Sequence, residues 1–272
     1  MIAANQLFES GKWAEAAQAY QKITEGEPNN GRAWLQLGKS RLSLGQYESA
    51  IIALEKNVAI GKNPLAMVKI ACAYTKLNQK EKALEWLEKA AKNNASASVN
   101  LSQETDLEPL RNDPRYKEIS LTIEKEQKPC LFMAEAKQFD FWIGSWTVFN
   151  TNGQKAGESQ IIPIASGCGL LENWTNTLEL PGKSINFFDS KTQKWHQYWI
   201  GSDGIPIRFE GNYKEKAMVF EGVSITKDGE KTLYKMTFFL LDENTVRQYA
   251  EQSTDDGKTW TVSYDLKYVR KK

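Results

Sequence analysis

The sequence has little histidine and cysteine, and it lacks both a long apolar run and an excess of charge of one sign. Its 272 residues include one histidine, His196, which excludes a metal site with several histidine ligands and argues against a histidine-based catalytic triad. Cys72, Cys130 and Cys168 are odd in number and form no Cys-x-x-Cys pair, so we expect free thiols rather than a disulfide framework or a zinc site. The sequence therefore predicts no metal and no cofactor.

Charge and hydropathy exclude two further classes of partner. Residues 1–137 carry 19 basic and 17 acidic side chains, and residues 138–272 carry 16 and 17, so neither half has the excess expected of a nucleic-acid or anionic-membrane binder. No apolar run approaches the roughly 20 residues of a membrane span, and no secretory signal is visible at Met1. We expect a cytoplasmic protein, or a periplasmic one if an upstream signal has been trimmed.

A repeat runs through the first half of the chain. A Gly or Asn, an Ala five residues later and a large apolar residue four beyond it recur at residues 11–20, 45–54 and 78–87, with spacings of 34 and 33 residues. This pattern resembles the tetratricopeptide repeat. The resemblance implies three antiparallel helix pairs, in which small residues allow close packing and the Gly or Asn ends the first helix of each pair.

The sequence after the third copy resembles the capping tail that often closes such arrays, with Leu-Arg-Asn-Asp-Pro-Arg-Tyr at residues 110–116. We therefore assign residues 1–126 to the repeats with their cap and residues 127–138 to a linker, because the stretch Glu124-Lys-Glu-Gln-Lys-Pro129-Cys130 is charged and Pro129 stops a helix. The first repeat lacks the early turns of its first helix, which leaves an apolar end. This favours a trimmed N-terminus or a homodimer contact.

Stacked helix pairs form a concave groove that takes peptides, so we predict a protein or peptide partner for this half. By repeat register, six polar or basic side chains would line the groove: Asn5, Arg32, Gln36, Lys39, Lys69 and Lys76. Two interpretations of this mildly basic surface remain open, a solvated charged face and a site for an acidic peptide.

From residue 139 the hydrophobic pattern changes to a period of two, with turn signals such as Asn152-Gly153 and Asp228-Gly229 between β-rich runs. This predicts an all-β domain over residues 139–272, with about eight to ten antiparallel strands. Tight hairpins suit either an up-and-down barrel or a sandwich, and we favour the barrel because it needs no long crossover.

The opening of this domain, Gly144-Ser145-Trp146, resembles the Gly-x-Trp of the calycin superfamily of lipocalins and fatty-acid-binding proteins. That resemblance implies that Trp146 plugs the bottom of the barrel and that a basic residue on the last strand, Arg270, covers it. Residues 139–272 as a whole resemble an uncharacterised bacterial lipocalin-like domain, through Phe-Asp-Phe-Trp-Ile-Gly at residues 139–144 and Lys194-Trp195-x-Gln-x-Trp. This implies a fold and no known activity.

Alternation along the strands places several aromatic and polar side chains on shared faces. If those faces point inward, the expected ligand-binding residues are Glu172, Trp174, Asn186, Trp195, Gln197, Trp199, Arg247, Tyr249 and Glu251. Aromatic walls with a few polar anchors are typical of a small-molecule site, whereas in the alternative the aromatics fill the barrel. His196 alternates with Trp195 and so is expected to point outward.

The sequence thus predicts a non-catalytic binding protein with a helical half for a protein partner and a barrel for a small, mostly apolar ligand. Two alternatives remain. One is an enzyme of the cyclase, isomerase or lyase type, with Glu172 and Arg247 as its weak catalytic candidates, which a raised pKa of Glu172 would favour. The other is a structural adaptor with a filled barrel.

Overall fold

The computed structural model describes residues 1–95 and 99–271 and divides the chain into two compact units, Met1–Gln127 and the chain from Lys128 onward. The first unit is helical and the second is built of antiparallel strands, which confirms the predicted fold class. The helices of the first unit are α1 (Ile2–Glu9), α2 (Trp13–Gly26), α3 (Gly31–Ser43), α4 (Tyr47–Gly61), α5 (Pro64–Lys76), α6 (Lys80–Ala91) and α7 (Pro114–Gln127).

The helices α1 to α6 pack as three consecutive pairs, because small residues stand at the turns and at the contacts. Gly11, Gly45 and Asn78 have φ values of 73°, 72° and 57°, a left-handed conformation that ends the first helix of each pair. Gly38 in α3 allows close approach to α4, since a methyl group there would lie 2.4 Å from Cγ of Leu54. The predicted repeat pattern therefore has a direct structural cause.

The tail after the third pair folds back over it. A 3₁₀ helix at Thr105–Leu110 packs on α5, and α7 packs on α6. Leu107 and Leu110 are buried there in the core of this unit. Arg115 of α7 holds α6 by donating to Glu88 at 2.7 Å. The tail thus buries apolar surface that the last helix pair would otherwise expose.

The second unit is a closed antiparallel barrel of ten strands in which each strand pairs with its neighbours in sequence. The first strand closes on the last through pairs such as Trp146 opposite Arg270. The strands are β1 (Gly144–Asn150), β2 (Lys155–Ile164), β3 (Gly169–Asn176), β4 (Pro181–Asp189), β5 (Lys194–Ile200), β6 (Pro206–Lys214), β7 (Ala217–Ile225), β8 (Lys231–Asp242), β9 (Thr245–Ser253) and β10 (Thr261–Arg270).

Three short 3₁₀ helices precede β1 and plug one end of the barrel, over Pro129–Leu131, Glu135–Lys137 and Asp140–Trp142. Phe139 is fully buried, and its ring centroid lies 5.0 Å from those of Trp142 and Phe238. We predicted a linker over residues 127–138, but Cys130 and Ala136 lie in the barrel core. The apolar run of residues 130–134 was the signal for this packing, and the charged residues 124–128 just before it favoured the interpretation as a linker.

Cys130 and Cys168 form a disulfide across a sequence separation of 38 residues. This corrects our expectation of three free thiols, because only Cys72 is free among the described residues. The bond joins the plug to the 3₁₀ turn Ala165–Gly167 between β2 and β3. Sequence spacing did not reveal it, since the pairing depends on the plug folding under the barrel.

Candidate functional site

The barrel encloses a cavity of about 250 Å³ on the side of Trp195 away from the plug. Of the ten side chains that line it, five are aromatic and only Glu172 carries a carboxyl group. The lining consists of Glu172, Trp174, Gln197, Trp199, Ile207, Phe209, Gln248, Tyr264, Leu266 and Tyr268. This end of the barrel is therefore open space, whereas the plugged end is packed with aromatic rings.

Glycines on neighbouring strands make room for the large aromatic side chains of the wall. A methyl group on Gly182 would lie 2.3 Å from Cη2 of Trp199, and one on Gly222 would lie 2.3 Å from Cδ1 of Phe209. Each ring therefore lies over a position that only glycine can occupy without a shift. These glycines belong to the site. The sequence predicts a turn at Pro181-Gly182 and gives Gly222 no role, whereas Gly182 lies within β4.

Glu172 in β3 lies at the buried end of the cavity and is 3% exposed. Its Oε1 accepts a hydrogen bond from the Ser159 hydroxyl and its Oε2 accepts one from the Ser184 hydroxyl, both at 2.9 Å. Burial raises the pKa of Glu172 to about 7, and hydrogen bonds from Ser159, Ser184 and Tyr268 oppose that rise only in part. Both the protonated and the ionised form of this carboxyl group are therefore populated near neutral pH.

Asn186 and Gln197 extend this network through the wall. Asn186 Nδ2 donates to Ser184 Oγ at 2.9 Å, and Gln197 Nε2 donates to Asn186 Oδ1 at 2.7 Å. Asn186 is fully buried and lies outside the cavity lining, so it orients the network instead of facing a ligand. The two serines are residues of the site that strand alternation on its own did not single out.

A second polar group faces Glu172 from β10. The Tyr268 hydroxyl donates to Gln248 Oε1 at 2.8 Å. Burial, followed by the nearby Glu172 carboxyl, raises the pKa of Tyr268 well above its ordinary value, and burial likewise raises that of Tyr264. Both phenols therefore stay neutral throughout the physiological pH range.

The residues of β9 that were predicted to face the cavity point away from it. Arg247, Tyr249 and Glu251 lie on the outer surface, while Gln248 lines the cavity. Arg247 Nε and Nη2 each donate to the Asp265 carboxylate of β10 at 2.8 Å. This pairing satisfies the guanidinium outside the barrel, so Arg247 is no partner for Glu172.

Two further residues considered from the sequence, Trp195 and His196, lie below or outside the cavity. Trp195 is buried against the plug, where its indole N–H donates to the Glu135 carbonyl at 3.2 Å. His196 lies on the outer face and stacks on Phe187 with ring centroids 5.2 Å apart. Within residues 1–95 and 99–271, no cluster of three or more His, Cys, Asp or Glu side chains is placed to hold a metal ion.

Trp146 and Arg270 meet at the plugged end. Trp146 is fully buried, and the Arg270 guanidinium lies 4.2 Å from the centroid of its ring. Arg270 Nη1 also donates to the Ile143 carbonyl at 2.7 Å. Gly144 has φ 141°, and a methyl group there would lie 2.2 Å from Arg270 Nη1, so glycine is required beside this contact.

In the helical unit, the chain's own tail engages two of the six predicted groove residues. Lys69 Nζ donates to both Glu104 oxygens at 2.9 and 2.7 Å, and Lys76 Nζ lies 2.8 Å from Asp106 Oδ1. The Cys72 thiol lies 3.8 Å from Glu104 Oε2. Two basic side chains of α5 thus bind two carboxylates at the start of the 3₁₀ helix Thr105–Leu110.

The other four predicted groove residues behave differently from one another. Asn5 Oδ1 accepts a hydrogen bond from the Tyr20 hydroxyl at 2.8 Å, and Lys39 Nζ lies 4.9 Å from the centroid of the Phe8 ring. Burial first, and then the positive charge of Lys69, lower the pKa of Lys39. Arg32 is exposed, and Gln36 is half-buried.

Family models of the tetratricopeptide repeat match residues 7–66 and 65–96, which confirms the repeats in the first half. No curated protein matches the chain. Among the described residues, no helix is long and apolar enough to cross a membrane.

Several solved structures are similar to part of the chain. PcrH in complex with the chaperone binding region of PopD is 18% identical over 47% of this chain and 85% of its own, with a TM-score of 0.35. The Yersinia enterocolitica type III secretion chaperone SycD in complex with a peptide of the translocator YopD is 22% identical over 47% and 86%, with a TM-score of 0.33. MamA of AMB-1 is 24% identical over 37% and 56%, with a TM-score of 0.34.

Proposed function

We propose that this is a two-part binding protein, whose barrel takes a small, mostly apolar molecule with one polar end and whose repeats hold a protein or peptide partner. The observation that carries the barrel half is the 250 Å³ cavity, with five aromatic side chains around a single buried carboxyl group. Concave apolar sites with a few fixed polar groups are the usual form of a small-molecule site. A filled barrel, as in a purely structural adaptor, would leave no such space.

A lipocalin-like identity of the barrel is part of this proposal. It is supported by the Gly-x-Trp opening at residues 144–146, by Arg270 above Trp146 and by the unbroken up-and-down strand order. Ten strands and a plug formed by the preceding segment fit a barrel that opens for ligand at its other end.

Tryptophan fluorescence tests the barrel half, because Trp174 and Trp199 line the cavity. Titration with a panel of lipids, haem, bilins, isoprenoids and small aromatic molecules should quench or shift emission with saturation for at least one class. The double variant Trp174→Phe, Trp199→Phe should lose that signal, while Trp13→Phe in the helical unit should keep it. An absence of any saturable change across the panel refutes the barrel half.

For the helical half we propose an acidic peptide as the partner. Lys69 and Lys76 already hold the carboxylates of Glu104 and Asp106, which supports recognition of acidic side chains two residues apart. The variant Glu104→Gln, Asp106→Asn should free the two lysines and bind a labelled acidic peptide more tightly by anisotropy. Lys69→Gln, Lys76→Gln should bind it less, and equal affinity of both variants contradicts the proposal. The homodimer contact stays a prediction.

An enzyme remains the second candidate, because burial raises the pKa of Glu172 to about 7, a range suited to a general acid or base. The cavity offers Tyr268 as a neighbouring hydroxyl, in place of the expected Arg247. Turnover of a bound ligand that Glu172→Gln abolishes without weakening binding would select this candidate over simple binding.

We propose an oxidising compartment such as the periplasm, because a disulfide between Cys130 and Cys168 would be reduced in most cytoplasms. Thiol labelling of denatured protein from its native source tests this. One labelled cysteine, Cys72, supports the proposal, and three labelled cysteines support the cytoplasmic location that the sequence predicts.

A further inference from the structure

The ligand cavity holds an acid without a counterion. Among the described residues that line it, Glu172 is the only charged type, and neither lysine, arginine nor histidine contributes a side chain. Arg247, the basic residue that sequence reasoning placed here, is bound to Asp265 on the outer surface. A buried carboxylate that lacks a cation is strongly disfavoured. A ligand with a positive charge would therefore be favoured at this site.

The walls of the cavity favour positive charge as well. Trp174, Trp199 and Phe209 form part of the lining, together with the rings of Tyr264 and Tyr268. The face of an aromatic ring is electrostatically negative and attracts an ammonium group, most strongly for tryptophan and more strongly in a site that excludes water. A ring of aromatic side chains that ends in a carboxyl group therefore repels an anion and stabilises a cation.

The hydrogen bonds around Glu172 leave it oriented toward a ligand. Ser159 and Ser184 each donate one hydroxyl hydrogen to one carboxyl oxygen, and the Tyr268 hydroxyl also lies within reach of the carboxyl group. These three donors fix the carboxylate and leave at least one of its roughly four acceptor positions for a ligand. An ammonium group carries only donors and matches such a position, whereas a carboxylate ligand carries only acceptors.

We propose that the cavity selects a small organic amine in its protonated form, with the ammonium on Glu172 and an apolar body against Trp174, Trp199 and Phe209. The inference rests on the proposed function, since it requires that the barrel take a ligand at all. The cavity volume of about 250 Å³ lies below the range of roughly 300–1,000 Å³ that is common for small-molecule sites. We therefore expect the apolar part of the amine to be about the size of a single ring.

Binding of such a ligand is coupled to a proton. The free carboxyl group of Glu172 is partly protonated near neutral pH because burial raises its pKa to about 7. The incoming ammonium keeps its own proton, and the Glu172 carboxyl group releases its proton to solvent as the ion pair forms. The other titratable groups on this cavity, Tyr264 and Tyr268, stay neutral and do not contribute.

Three probes of one shape test the inference on the full chain: phenethylamine, 2-phenylethanol and 3-phenylpropionate. Calorimetry at pH 6 and pH 8 should show that the amine binds best, that the alcohol binds weakly and that the acid does not bind. Between these pH values the ionised fraction of a group with a pKa of about 7 rises about tenfold, so amine affinity should rise by a similar factor. The affinity for the alcohol should stay constant.

Two variants test whether Glu172 and the aromatic wall cause the preference for the amine. Glu172→Gln should remove both the preference for amine over alcohol and the pH dependence, with its near-ultraviolet circular dichroism unchanged. Trp199→Leu, at a partly exposed position, should weaken the amine more than the alcohol. If the alcohol or the acid binds wild-type protein as well as the amine, or if Glu172→Gln keeps the preference, the inference is wrong and the proposed function stands. If no member of the set or of the wider panel binds, the proposed function itself is refuted.

Discussion

The buried carboxyl group of Glu172 makes the stability of the barrel depend on pH in an unusual direction. Its pKa is about 7 in the folded protein, against an ordinary value of 4.5 that the unfolded chain retains. The folded state therefore binds this proton more tightly than the unfolded state does. Its stabilising contribution is complete below the unfolded pKa of 4.5 and is lost as the pH rises through 7.

The size of the effect follows from the two pKa values. The difference between about 7 and 4.5 corresponds to about 3 kcal/mol of unfolding free energy that wild-type protein loses between acidic and alkaline pH. The variant Glu172→Gln keeps the shape of the side chain without its charge, and the hydroxyl of Ser159 or Ser184 can rotate to accept from the amide. Relative to wild type, this variant should therefore gain about 3 kcal/mol from pH 4 to pH 9.

Urea denaturation followed by tryptophan fluorescence at pH 4, 5, 6, 7, 8 and 9 measures this difference directly. All other titrating groups are shared by both proteins and cancel in the comparison. Glu221→Gln, at an exposed position on β7, is the matched control and should follow the wild-type profile. A constant difference between Glu172→Gln and wild type across the pH series, or one of opposite sign, would refute the assignment of Glu172 as a proton-binding group.

Three further changes have expected outcomes. Cys130→Ser opens the 38-residue loop to Cys168 and should lower the unfolding free energy of the barrel by about 4 kcal/mol in urea, with no further loss when reductant is added. Phe139→Ala removes a fully buried ring from the plug and should cost roughly 3–5 kcal/mol in the same assay. Gly182→Ala places a methyl group 2.3 Å from Cη2 of Trp199 and should shift tryptophan emission and weaken ligand binding, while unfolding by urea retains its slope.

The helical half was predictable because its signal is local and periodic. Gly11, Gly45 and Asn78 mark turns that the backbone needs, and the spacing between them fixes the repeat. The tail was recognised as a cap, but its ion pairs with α5 were not, because Lys69 and Glu104 are 35 residues apart. Pairs of opposite charge at such a distance carry no pattern that a single sequence displays.

The predicted residues that line the cavity come from β3 and β5, whereas its residues on β6, β9 and β10 were not predicted. Period-two alternation places Glu172 with Trp174 and groups Arg247 with Tyr249, but it does not say which group faces inward. On β3 and β5 the tryptophans favoured the correct face. On β9 the buried residues include Val246, Gln248 and Ala250, and the alternation signal was read from Arg247 and Tyr249 on the opposite face. Outside the barrel, Arg247 donates to the Asp265 carboxylate.

The pairing of Lys69 and Lys76 with Glu104 and Asp106 has a consequence for selectivity. A tethered competitor acts at an effective concentration on the order of millimolar, so a free acidic sequence must outcompete it before it reaches the two lysines. If the helical half binds an acidic peptide as proposed, this competition would exclude weak encounters with abundant acidic proteins. The partner would then need contacts along the helices in addition to its two carboxylates.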